Sequence, residues 1–208
     1  MKGWRQWPLI TMLACAGPLS FGCGGDTHET PQPLTSGGAG NAPPSNAACQ
    51  DYCADVMSAC QGAVAVYATK DVCLAVCAML VPGDALEPLG NTVACRANEA
   101  KLAEREPDDH CPSAGPGGGA RCSSDCAAYC ALYPQICPDG DAYASDGECL
   151  EACSGLTDQE RFDVVMDHEG DTLECRLVHL SAAALEPDAH CPHASLTATE
   201  PWCVARPE

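Results

Sequence analysis

The hydrophobic positions of this chain recur with a helical period, in short segments separated by turns rich in Gly, Pro and Asp. Cys49, Cys53, Val56 and Cys60 follow one another at intervals of three or four residues, as on one face of a helix. The first helix is therefore predicted over about residues 47–60. No segment shows the strict alternation that is typical of a half-buried strand, so the pattern predicts an all-α fold.

A second apolar stripe predicts a helix over about Lys70–Leu80, whose inward face carries Cys73, Val76, Cys77 and Leu80. Thr69 directly precedes it, where a hydroxyl oxygen can accept from the first free N–H groups of the helix. Ser145–Glu148 is a capping box further along the chain, and it predicts a matching helix start there.

A third type of helix is expected twice, over about Thr92–Glu104 and Thr172–Leu185, with Asn91 and Asp171 as the expected caps. Both helices are expected to end before the prolines that follow them, and Pro134 is expected to end or kink an earlier helix. A short extra helix is predicted after residues 157–160, another capping box, with an apolar face made of Phe162, Val165 and Met166.

The most informative feature is a block of eight cysteines that occurs twice, with each counterpart 76 to 81 positions later. The first block is Cys49, Cys53, Cys60, Cys73, Cys77, Cys95, Cys111 and Cys122, and the second is Cys126, Cys130, Cys137, Cys149, Cys153, Cys175, Cys191 and Cys203. Tyr52 and Tyr129 also correspond, as do Glu106–Pro112 and Glu186–Pro192. The chain is therefore predicted to contain two tandem small disulfide-stapled helical repeats, over residues 48–122 and 123–208.

The cysteines indicate that disulfide bonds stabilise these repeats. Large side chains are few, with 2 Phe, 3 Trp and 5 Tyr, so each hydrophobic core is thin and needs crosslinks. The 18 cysteines in 208 residues have the density of a disulfide scaffold, which indicates an oxidising compartment. No C-x-x-C pair occurs, and this argues against structural zinc and covalently attached haem.

Cysteines four residues apart lie on one helix face and are placed to bridge a neighbouring helix. Two antiparallel helices would pair first with last, giving Cys49–Cys77, Cys53–Cys73, Cys126–Cys153 and Cys130–Cys149. This pattern resembles the helical hairpins with twin C-x-x-x-C motifs of small intermembrane-space chaperones, a resemblance of geometry that brings no activity. The remaining four cysteines of each copy allow three connectivities. The one favoured here is Cys60–Cys95, Cys111–Cys122, Cys137–Cys175 and Cys191–Cys203.

Residues 1–22 read as a secretory signal, with a charged start and an apolar run too short to span a bilayer. Residues 20–23 resemble the lipobox of bacterial lipoproteins, which implies that Cys23 is lipidated, and Gly24 implies outer-membrane sorting. Cleavage after Ala16 is the alternative, but it leaves an odd number of cysteines. Residues 23–47 lack apolar periodicity and are predicted to be a disordered tether.

Charge excludes some partners: 29 acidic residues against 10 Lys and Arg give a net charge of −19. Such a surface repels nucleic acid and anionic lipid headgroups. We therefore expect an unknown protein or envelope ligand as partner, membrane contact through a lipid anchor only, and no cofactor.

Candidate chemistry is confined to a few residues. His179, His190 and His193 gather in the second copy and could bind copper or zinc. Arg96 and Arg176 are expected to pair with the acids of the two Glu-Pro-Asp segments. Residues 138–141 resemble a calcium loop, but Tyr143 and Ala144 stand where ligand and glycine are needed, so a solvated turn is expected. No catalytic motif or residue is identified.

The eight-cysteine repeats resemble cysteine-rich repeats of bacterial cell-surface lipoproteins that have no assigned activity. The leading hypothesis is a non-enzymatic, lipid-anchored surface protein that acts as a binding or structural module. It would be exported to the cell envelope, as an outer-membrane lipoprotein or an extracellular protein. The alternatives are a copper- or zinc-binding envelope protein and a small secreted inhibitor that displays a loop at residues 111–122 or 191–203.

Overall fold

The structure, a computed structural model, describes residues 44–86, 88–157, 162–167, 169–198 and 202–204, and these contain four helices from each copy of the repeat and no strand. The first copy forms α1 (Asn46–Ala59), α2 (Lys70–Met79), α3 (Val93–Ala103) and α4 (Pro107–Ala114). The second forms α5 (Asp125–Ile136), α6 (Asp146–Cys153), α7 (Leu173–Ala183) and α8 (Pro187–Ala194). The all-α prediction is therefore confirmed. The predicted leader, Cys23 and most of the tether lie outside the described residues.

Hydroxyl side chains begin six of the helices. Thr69 caps α2 and Ser145 caps α6, as predicted. The prediction that Asn91 and Asp171 cap the third helices is wrong, because the Oγ1 atoms of Thr92 and Thr172 accept the N–H groups of Cys95 and Cys175, each at 3.1 Å. Asn91 and Asp171 instead bind arginine side chains.

Helices α3 and α7 end before Pro107 and Pro187, as predicted, whereas Pro134 does not end the helix that contains it. Helix α5 continues through Pro134 to Ile136, and the Cys137 N–H donates to the Tyr133 carbonyl at 2.8 Å, so the helix does not end at the proline. Pro107 and Pro187 do not simply follow α3 and α7. Each begins a further helix, because a proline in the first turn loses no helical hydrogen bond. The segments expected to be terminal loops are therefore α4 and α8 together with the turns after them.

Eight disulfides crosslink the described residues, four within each copy. The four hairpin bridges are the predicted ones. The favoured connectivity of the other eight cysteines is wrong, since the bridges are Cys60–Cys111, Cys95–Cys122, Cys137–Cys191 and Cys175–Cys203. Helices α4 and α8 fold back on α3 and α7, and this brings Cys111 and Cys191 to the ends of α1 and α5.

The buried residues of both copies form one hydrophobic cluster. Helix α2 of the first copy packs against α5 and α7 of the second. The Val164 N–H donates to the Ala65 carbonyl at 2.9 Å, which joins the copies through their backbones.

The predicted extra helix of the second copy is only partly within the described residues, because residues 158–161 lie outside them. Phe162 and Val164 are buried, whereas Val165 is 59% exposed and Met166 is 75% exposed, so the predicted apolar face of Phe162, Val165 and Met166 is wrong. A turn at these positions directs Val164 rather than its neighbours into the core. Within the described part of the chain, no helix combines the length and the apolar character needed to cross a membrane.

Candidate functional site

Arg96 lies fully buried at the centre of the first copy and holds the turn after α4. Its guanidinium donates to the carbonyls of Gly115 and Pro116, each at 2.9 Å, and to Asn91 Oδ1 at 2.7 Å. The predicted ion pairs with Glu106 or Asp108 are wrong, because the guanidinium donates to backbone carbonyls and to Asn91 instead. Burial lowers the pKa of Arg96, although nearby Tyr52, Tyr67 and Asp125 oppose that effect.

In the second copy the arginine keeps its contact with the residue before the helix N-cap, but a carboxylate replaces the amide, and Arg176 Nε is buried without a hydrogen-bond partner among the described residues. Arg176 donates to Asp171 Oδ1 at 2.7 Å and to the Thr172 carbonyl at 3.0 Å, not to Glu186 or Asp188. Tyr52 and Tyr129, which correspond in the repeats, donate to the carbonyls of Ala114 and Ala194 at 2.6 and 2.8 Å. Arg96 and Tyr52 hold the end of α4, and Tyr129 holds the end of α8, so the role of these three groups is structural.

The three candidate histidines converge in the second copy. His179 lies on α7, while His190 and His193 lie one turn apart on α8, which packs against α7. His179 Nδ1 is 3.1 Å from His190 Nδ1, and one potential ligand atom of each residue lies within 4.8 Å of the others. The side chain of Trp202 lies beside this group, with its ring centroid 5.9 Å from that of His179 and 6.2 Å from that of His193.

The first copy has a different set of residues at the same four positions. Glu99, His110, Ser113 and Arg121 correspond to His179, His190, His193 and Trp202. Glu99 Oε2 lies 2.7 Å from His110 Nδ1 and 3.9 Å from Arg121 Nη1, so a carboxylate neutralises this cluster. The second copy has imidazole where the first has that carboxylate.

The electrostatic environment of His193 favours its neutral form. Burial, together with the neighbouring His190, lowers the pKa of His193. His193 Nδ1 is buried and has no hydrogen-bond partner among the described residues. Glu186 Oε2 lies 4.0 Å from His190 Nε2, on the side of that ring away from His179.

Asp141, in the segment that resembles a calcium loop, has a role that the sequence did not reveal. It lines a cavity of about 550 Å³ between the end of α5 and α8, together with Tyr133, Pro187 and Ser195. The prediction of a solvated turn holds for residues 138–140, which form an exposed turn, but not for Asp141, which accepts hydrogen bonds from the side chains of Ser195, Thr197 and Tyr143 and from the Leu196 N–H. Burial disfavours the carboxylate, but these donors outweigh it and lower the pKa of Asp141.

The expected inhibitory loop of the first copy is not displayed. Cys111, Ser113 and Ala114 are buried, as are Gly115–Gly118, and Cys111 is bridged to Cys60 rather than to Cys122. In the corresponding stretch after Cys191, residues 192–198 are a mixture of exposed, half-buried and buried positions, and residues 199–201 lie outside the described part of the chain. A protease could not bind the 111–122 segment as an extended loop without unfolding the repeat. A second three-residue group, Cys175, His179 and Cys203, is not a metal site, since its sulfurs form a disulfide.

Comparison with known proteins gives one match. The family model described as the BfoA family C-terminal domain matches residues 35–125 and, a second time, residues 126–204. No curated protein and no solved structure matches the chain. The two matched segments coincide with the two cysteine repeats, so the unit that occurs twice in this chain is this domain.

Proposed function

Since the chain belongs to the BfoA family, whose C-terminal domain it contains twice, we propose that it is an exported, non-enzymatic binding or structural module. In this proposal a lipid on Cys23 holds the two copies at the cell surface through the tether at residues 23–47. Its partner would be a protein or another ligand of the envelope. The resemblance of the leader to a lipobox supports the anchor.

The observation that carries the proposal is the disulfide framework. All 16 cysteines of the described residues are bridged, and each copy closes its own four bridges. Such a framework persists only where thiols are not kept reduced, which supports export. Bridged cysteines cannot act as thiolate nucleophiles, and the buried side chains of Arg96, Tyr52 and Tyr129 hold the ends of α4 and α8, which supports a non-enzymatic role.

The anchor is tested by growing cells that express the full chain with an alkyne-labelled fatty acid. We expect label on the wild-type chain and its recovery with membranes, and loss of both in Cys23→Ser. Cys15→Ser is the matched control, because it removes a cysteine of the same leader and leaves the lipobox intact. Equal labelling of wild type and Cys23→Ser, or labelling lost only in Cys15→Ser, would refute lipid anchoring at Cys23.

The binding role is tested by proximity labelling from the full chain on intact cells. A Cys53→Ser/Cys73→Ser variant removes one hairpin bridge of the first copy and serves as the comparison. We expect wild type to label a set of envelope proteins that this variant fails to label. Identical sets from the two chains would mean that the folded repeats select no partner.

A further inference from the structure

We propose that His179, His190 and His193 bind one divalent transition metal ion of the zinc and copper class, and that the first copy lacks this site. The three side chains come from two packed helices and place one nitrogen each within 4.8 Å of the others. This binding site goes beyond the proposed role as a surface module, and neither proposal depends on the other.

The separation of the nitrogens is close to that of a coordinated pair. Two nitrogens about 2.0–2.1 Å from a tetrahedral Zn²⁺ lie roughly 3.3 Å apart. His179 Nδ1 and His190 Nδ1 are already 3.1 Å apart. His193 needs only a rotation of its ring toward them, because its centroid is 4.9 Å from that of His179. The site therefore requires no movement of the helices.

The supporting structure holds the three rings in place. Cys191 adjoins His190 and is bridged to Cys137, while the Cys175–Cys203 bridge fixes α7 to the segment that carries Trp202. Ligands on crosslinked helices are pre-organised, which reduces the entropy lost when a metal binds. Trp202 covers the rings and is only 37% exposed, so it partly shields the site from water.

The ligand set selects the class of metal. Imidazole nitrogen suits zinc and copper, whereas calcium and magnesium require several oxygen ligands, which this set does not provide. Glu186 Oε2 lies 4.0 Å from His190 Nε2, too far for a hydrogen bond, but its exposed side chain can move to accept from that nitrogen, while Nδ1 faces His179. A carboxylate behind a ligating histidine is a common feature of metal sites in proteins.

In the first copy, two of the positions that correspond to the three histidines carry different residues, and the set has a purely structural role. There Glu99, His110 and Arg121 form a charged cluster at the same positions, in which the histidine has a carboxylate partner. A hydrogen bond between two neutral histidines would be the structural alternative in the second copy. It explains the contact of His179 with His190, but it gives no role to His193, whose Nδ1 is buried without a partner among the described residues.

The test uses the oxidised full chain, stripped of metal and then dialysed against Zn²⁺ or Cu²⁺ with excess Mg²⁺ to saturate the acidic surface. Metal analysis is expected to find one ion per wild-type chain. His179→Glu/His193→Ser, which copies the first repeat, is expected to bind at least 100-fold more weakly. His193→Ser alone is a milder second variant, expected to weaken binding at least 10-fold. Equal retention of Zn²⁺ and Cu²⁺ by wild type and both variants would overturn the proposal.

A variant of the first copy tests whether the residues of the second copy at these positions are sufficient for metal binding. Glu99→His/Ser113→His/Arg121→Trp gives the first copy the residues of the second, and we expect two ions per chain. One ion per chain from this variant, with all bridges formed, would contradict the claim that the three histidines make the site. Intact mass and far-UV circular dichroism verify the fold of every variant.

Discussion

Asp141 shows how a single half-buried carboxylate can fix the end of the second copy. It accepts hydrogen bonds from three side chains and one backbone N–H, and three of these four donors belong to the segment after α8, residues 195–197. Donors that surround a carboxylate favour its charged form, and hydrogen bonds to charged groups contribute more than those between neutral groups. The α5–α6 loop thus holds the chain directly after the candidate metal site.

Replacing Asp141 with Asn should destabilise the protein by about 1–2 kcal/mol at neutral pH, the lower part of the usual range because the group is half exposed. The pKa of Asp141 is lowered in the folded state, so its contribution is complete above the unfolded value of about 3.9 and is lost as pH falls through the lower folded value. The stability difference between wild type and Asp141→Asn should therefore shrink below about pH 4.

Urea unfolding at pH 7, 5 and 3 measures that difference. Asp139→Asn is the matched control, because Asp139 lies on the same loop and is exposed, and it should change stability by less than about 0.5 kcal/mol. A difference between wild type and Asp141→Asn that stayed constant or grew on acidification would contradict the assigned role.

At the scale of elements, α4 and α8 decide the disulfide pattern. The Glu-Pro-Asp segments begin these helices because proline suits the first turn and the following acids interact favourably with the helix N-terminus. Each helix then packs against the helix before it and carries its cysteine to α1 or α5. The pairing of Cys60 and Cys137 therefore depends on helices that form within segments expected to be loops.

This pairing predicts which thiol becomes free when one cysteine is removed. Cys60→Ser should leave Cys111 as a free thiol, and alkylation under denaturing, non-reducing conditions followed by peptide mapping should find the label there. Cys137→Ser is the matched variant in the second copy and should leave Cys191 as a free thiol. Label on Cys95 or Cys175 instead would show that the helices do not bring these cysteines together.

The hairpin bridges could be predicted because they need only local information, namely the spacing of cysteines on one helix face. The caps Thr69 and Ser145 were predictable for the same reason. The roles of Asn91 and Arg96 were not, since the guanidinium binds carbonyls about twenty residues away whose positions depend on α4. The sequence also indicated the three histidines, but their convergence required the packing of α7 on α8.

At the scale of the molecule, the two copies share one core although each closes its own disulfides. Helix α2 packs against α5 and α7, and the Gly119 N–H donates to Asp125 Oδ1 at 3.1 Å, where the first copy passes into the second. Small residues allow this close approach. A β-carbon at Gly117 would lie 3.1 Å from Leu177 Cδ1 of α7 and would overlap the Asp125 carboxylate.

Gly117→Ala should therefore destabilise the whole molecule by about 1–3 kcal/mol, because the added methyl group must displace Asp125 or Leu177 in a packed interface. Gly147→Ala is the matched control. Its β-carbon would meet nothing closer than Ser145 Oγ at 3.7 Å, and alanine in helix α6 should stabilise by roughly 0.5–1 kcal/mol. Thermal unfolding of the oxidised chain should show a lower melting temperature than wild type for Gly117→Ala and a higher one for Gly147→Ala. A Gly117→Ala chain as stable as wild type would mean that the copies are not tightly packed at this junction, and the shared core would then have to be held through α2 and the Val164–Ala65 contact.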